Sequence, residues 1–231
     1  MRQLAEGTGC EDRLREYVAR SWYSYGAGDA TGLHPWAGET TLAYSGPLPP
    51  YDLLDVAGAY SWLKAPRWDG RAVEVGPLAR VLVLYARGHG ATRSLVDSAL
   101  QTLGLPLAAL YSTLGRTLAR AIETKVIADL MDGMLDELEA EAAAGPVDTF
   151  DEERWEPSTW PRSARGVGLV EAPRGALGHW VVIEDGRIAS YQMVVPTTWN
   201  ASPRDPEGRP GAYEAALVGI TLARPEQPLE A

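Results

Sequence analysis

Gly166-Val167-Gly168-Leu169-Val170-Glu171-Ala172-Pro173-Arg174-Gly175 leads through Ala176-Leu177-Gly178-His179 into Trp180-Val181-Val182-Ile183-Glu184-Asp185-Gly186-Arg187, then Ile188-Ala189-Ser190-Tyr191-Gln192-Met193-Val194-Val195 and Pro196-Thr197-Thr198-Trp199-Asn200. Asp-Gly between two apolar runs is the strongest short-range hairpin signal, because a two-residue turn needs positive φ at both positions. Pro173 fixes its own φ and biases Ala172 toward extended backbone, while Gly175 permits close approach or positive φ. Arg174 between them has two readings: a guanidinium aimed into a cavity, or an arginine at a strand end making an ordinary ion pair. Thr197 and Thr198 after Pro196 read either as a turn or as hydroxyl and amide donors suited to a small anionic ligand.

Upstream of this hairpin the sequence is helical. Pro77 suits the first turn of a helix over Leu78 to Ala86, with Gly88 and Gly90 as stop signals. Ala91 to Leu103 forms a second helix ending at Gly104. Leu110, Leu114, Leu118 and Ile122, then Ile127, Leu130, Met134 and Leu138, recur at three or four with one phase shift, which is helical spacing from Leu107 to Ala144. Glu11 to Arg20 is a short amphipathic helix candidate, and Tyr213 to Leu222 a final helix. Ser21 to Arg71, rich in Gly, Pro and aromatics, reads as an ordered long loop packed by tryptophans, and the stretch holding Trp155 and Trp160 as irregular. The expected fold is mainly α with a small antiparallel sheet (α+β), in one partial domain over residues 1–231. Its helical part covers about 76–144 and its hairpin region about 166–200.

The 231 residues carry a formal charge of -10 and no lysine or arginine run, which argues against a nucleic-acid or anionic-membrane surface. No stretch approaches the roughly 18 to 20 apolar residues of a spanning helix, and the N-terminal residues lack the apolar core of a targeting signal. One cysteine, Cys10, excludes an internal disulfide and a cysteine-rich metal site. His34, His89 and His179 do not form a spaced ligand cluster and read as structural. Asp132, Asp136, Glu137, Glu139 and Glu141 read as a solvated helix face.

Several blocks together resemble the large subunit of the nickel-iron hydrogenases. They are the Gly166 to Asn200 run, Tyr60-Ser61-Trp62-Leu63-Lys64-Ala65-Pro66-Arg67, Glu74-Val75-Gly76-Pro77-Leu78-Ala79-Arg80, Gly115-Arg116-Thr117 with Ala121-Ile122-Glu123-Thr124-Lys125, and Pro157-Ser158-Thr159-Trp160-Pro161. Leu33-His34-Pro35-Trp36 with Gly38-Glu39-Thr40 is similar to the uptake-type, membrane-associated branch. The resemblance implies a helical-bundle large subunit paired with an iron-sulfur small subunit and acting on dihydrogen. Its centre would be nickel and iron with cyanide and carbon monoxide, plus a magnesium ion, on the periplasmic side of the membrane and attached there only through partner subunits.

By that resemblance Arg174 is the catalytic residue, held over the open coordination site. Pro173, Pro196, Thr197 and Thr198 line the diatomic ligands, and the backbone carbonyl of Met193 binds magnesium. Such residues tune a metal without holding it. The family's four metal-binding cysteines have no counterpart here, so the expectation is a chain that binds no metal stably alone, completed by the remaining large-subunit segments. The alternative is a non-catalytic assembly or scaffold paralogue that binds a small subunit or a maturation factor.

Overall fold

Helical periodicity and turn chemistry occupy different parts of the chain, and the fold separates accordingly into two compact units. One comprises Val75–Ala164 with Glu184–Arg187; the other comprises Met1–Glu74, Arg165–Ile183 and Ile188–Ala231. The computed structural model describes residues 13–44, 57–146, 149–150, 152, 155–222 and 224. Cys10, Gly46 to Pro50 and Pro225 to Ala231 lie outside them.

In the helical unit Pro77 opens α1 (Pro77–Ala86), where its missing N–H costs nothing in a first turn. Gly90 does not terminate anything: it is the first residue of α2 (Gly90–Leu103), because His89 caps that helix with its ring nitrogen toward the Thr92 N–H. Gly104 ends α2 in the left-handed conformation, φ 64°. The periodic run from Leu107 then divides. Leu107–Tyr111 is a 3-10 turn, and Ser112 caps α3 (Thr113–Ala144) by accepting from the Gly115 N–H at 3.0 Å.

Leu78, Val81, Val96, Leu100, Leu110, Ala119 and Ile122 form the core of this unit, and an Arg80–Glu123 ion pair ties α1 to α3. The face of α3 that packs is Gly115, Ala119, Ile122 and Val126. The expected Leu114 is instead 81% exposed. Gly115 is on the packed face because a Cβ there would collide with the Ala109 carbonyl and the Leu110 backbone. The helix therefore follows its small residues in its first turns.

The other unit is built from short strands. Glu11 to Arg20 is not an α-helix where described: β1 (Leu14–Tyr17) pairs antiparallel with β4 (Ala65–Trp68), Leu14 opposite Trp68 and Tyr17 opposite Ala65. Leu14 and Glu16 are buried while Arg15 and Tyr17 are half-buried, a period of two that a distant strand imposes over local helix propensity. Between them β2 (Tyr23–Ser24) pairs with β3 (Thr41–Leu42). The long aromatic segment is indeed packed by tryptophan, with Trp22 edge-on to Trp62 and Tyr44, and Tyr44 stacked on Trp62. It also holds an Asp69-Gly70 turn with φ of 48° and 71°.

A third sheet has the order β5 (Ala164–Ala172), β6 (Gly175–Glu184), β7 (Arg187–Val194). The expected hairpin is β6–β7, turning at Asp185 and Gly186 with φ of 49° and 73°; β5 is the strand that periodicity did not mark. Two short helices follow, α4 (Pro196–Asn200) and α5 (Ala212–Leu217). The last is shorter than the expected Tyr213 to Leu222, since Val218 turns to extended backbone and Gly219 takes φ 86°. Among the described residues no helix is long and apolar enough to cross a membrane.

Two glycines of α3 separate packing from propensity. Gly115→Ala is expected to destabilise the helical unit by about 1–3 kcal/mol through overpacking. Gly133, with open space where a Cβ would go, is expected to gain roughly 0.5–1 kcal/mol as alanine. Urea denaturation of both variants checks the opposite signs.

Candidate functional site

Short turns join β5, β6 and β7 in the order in which they pair, so the strands alternate in direction. The β5–β6 turn and the C-terminal end of β7 consequently lie at the same end of the sheet. Pro173 and Arg174 form that turn, and Gly175, at φ 137°, releases the chain into β6. Met193 is the penultimate residue of β7, and Pro196 begins α4 two residues after β7 ends. The topology thus gathers to one sheet end all six residues singled out above.

Their exposure differs. Arg174 is exposed and forms no ion pair among the described residues, so the ordinary strand-end ion pair is not what the fold makes of it. Pro173 and Thr197 are exposed as well, and Met193 keeps 45% of its surface. Pro196 and Thr198 are buried with Trp199 and Asn200, and anchor the short helix. An apolar cavity of about 180 Å³ lies in the same unit, lined among others by Leu14, His34, Trp68, Leu169, Trp180 and Trp199, but not by Arg174, Met193 or Thr197.

Two buried charge networks fix this end of the sheet. Lys64 Nζ donates to Glu16 Oε2 at 2.8 Å and to Gln192 Oε1 at 3.1 Å, linking β1 and the segment before β4 to β7. Burial pushes the Glu16 carboxyl above the usual carboxylate range, and the Lys64 ammonium only partly opposes it. Arg67, on β4, has no exposed surface. Its Nε donates to Asp205 Oδ2 at 3.0 Å, Nη1 to Ser202 Oγ at 3.2 Å and the Pro66 carbonyl at 2.9 Å, and Nη2 to the carbonyls of Pro203 at 3.2 Å and Arg209 at 3.1 Å.

Asp205 also accepts from the Arg209 backbone N–H at 2.9 Å and from Arg209 Nε at 2.8 Å. Burial alone would raise its carboxyl; the Arg209 N–H and the two guanidiniums outweigh this and hold it below the ordinary range. Neither network carries a motif spacing in the sequence. The only hint is a lysine and an arginine around the apolar Ala65-Pro66 pair, and nothing in Ser202-Pro203-Arg204-Asp205 marks a partner for them.

The histidines do structural work. His34 caps the 3-10 turn Pro35–Ala37 and stands edge-on to Trp180, His89 caps α2, and His179 Nδ1 is 2.6 Å from the Tyr191 hydroxyl, the rings stacked. Asp132, Asp136, Glu137, Glu139 and Glu141 are exposed, as a solvated face requires. Among the described residues no group of three or more His, Cys, Asp or Glu could hold a metal ion.

A sheet end carrying Pro-Arg-Gly beside Pro-Thr-Thr, in a chain matched over residues 3–231 by the profile of the nickel-dependent hydrogenases, settles the family. The chain belongs to the nickel-dependent hydrogenases. It is 49% identical over 225 residues to the uptake hydrogenase large subunit of Bradyrhizobium diazoefficiens, covering 95% of this chain and 38% of that protein. It is 50% identical over 230 residues to the hydrogenase-1 large chain of Escherichia coli, covering 94% and 37%. The fold is similar to the crystal structure of the reduced, active Ni-Fe-Se hydrogenase from Desulfomicrobium baculatum, with a TM-score of 0.74 at 32% identity over 95% of this chain and 42% of that one. This nickel-dependent hydrogenase chain spans just under two fifths of the length of these curated relatives.

Removing Asp205 strands a fully buried guanidinium, so Asp205→Ala is expected to cost about 3–5 kcal/mol in chemical denaturation. The folded Asp205 carboxyl lies below its unfolded value, so its contribution is complete above about pH 4 and is lost as pH falls further. Melting curves from pH 7 to pH 3 should show that decline, and Asp205→Asn should flatten it.

Proposed function

We propose that this chain supplies one part of a nickel-iron hydrogenase large subunit that oxidises dihydrogen reversibly to protons and electrons. The observation that carries the reading is the sheet end where Pro173, Arg174, Met193 and the Pro196 to Thr198 segment come together, in a chain about half identical to uptake-type large subunits. In this reading Arg174 presents a planar cationic donor with no lone pair to bind metal, and Thr197 offers a hydroxyl and an N–H. Both suit the small anionic ligands of the metal, with Pro173 and Pro196 as the apolar wall. A further polypeptide carrying large-subunit residues and an iron-sulfur small subunit are the proposed partners, on the periplasmic side of the membrane.

The residues described do not themselves fit a nickel-iron centre. Nickel and iron of this type take soft thiolates, and the one cysteine of the sequence, Cys10, lies outside the described residues. The Met193 carbonyl likewise has no acidic cluster beside it to complete a magnesium site among the described residues. No chemical step is assigned through either metal, and the chain alone is proposed to be inactive. A second reading, a non-catalytic scaffold that binds a small subunit or a maturation factor, is favoured by the same single cysteine. It is weakened by retention of the exposed arginine in its Pro-Arg-Gly turn.

Two measurements test this. Elemental analysis of the purified chain is expected to find far less than one nickel per chain, and about one, as a thiolate-type site would hold, would overturn the reading. In a complete, cysteine-containing version of the subunit with its partner, Arg174→Lys loses the planar fork and is expected to lower hydrogen oxidation by a factor of about 100 to 1000. Metal content should be unchanged, because Arg174 is not a ligand. Near-wild-type turnover in that variant would remove the role given to Arg174 and favour the scaffold.

A further inference from the structure

We draw no further inference here: the strongest candidate, the apolar cavity of about 180 Å³ lined by residues of β1, β4, the β5–β6–β7 sheet and α4, has a mainly aliphatic and tryptophan lining that selects no one ligand, and nothing in the structure shows what fills it.

Discussion

A guanidinium with no exposed surface needs an acceptor for each of its five N–H groups, and the sheet-bearing unit is arranged to give Arg67 all five. Four of the five come from residues 202–209, more than 130 positions away in sequence, so the network cannot form until β4 and the segment after α4 have met. Asp205 neutralises the charge and is itself held by Arg209, which leaves neither of its oxygens idle. A half-formed version of this arrangement would be worse than an apolar core, because an unpaired buried charge is so costly. The arrangement is therefore cooperative, and it fixes where the chain goes after Asn200.

That constraint explains how a short helix can be held in one place. Five residues of α-helix have no stability of their own. α4 is held at one side by burial of Pro196, Thr198, Trp199 and Asn200, and beyond its end by Ser202, Pro203 and Asp205 on Arg67. On the strand leading into it, Gln192 takes a hydrogen bond from Lys64, whose other partner is the buried Glu16. The chain is thus pinned both before and after Thr197, which leaves that side chain exposed on a fixed backbone.

Much of this was legible in the sequence where physics is local. Pro77 as a helix start, Gly104 as a stop and Asp185-Gly186 as a turn each act within a few residues, and each is found where expected. The candidate residues on the β5–β6 turn and after β7 also share one end of a sheet. What was not legible depended on distant partners. β1 looks helical until β4 pairs with it, Gly90 looks like a breaker until His89 caps it, and no local spacing marks Glu16, Lys64, Arg67 and Asp205 as partners. β5 escaped notice because its burial alternates irregularly and its glycines dilute the strand signal. The phase shift inside α3 was visible, but its meaning was not: it separates a face used within the unit from one that faces away.

Arg174 shows the difference between positioning a group and giving it power. Its position is set locally, by Pro173 before it, by the positive φ of Gly175 after it and by the pairing of β5 with β6. Its strength is not. A unit charge 4 Å from a solvated guanidinium gains only about 1 kcal/mol, against about 4 kcal/mol where the effective dielectric constant falls to about 20. Exposed as it is, Arg174 sits at the weak end of that range, and nothing within the described residues dries its surroundings. In the role proposed for Arg174, a cover over the β5–β6 turn would have to exclude water there before the arginine could act as an electrostatic group. The sheet fixes where the charge stands, and the dryness of its surroundings would set how strongly it is felt.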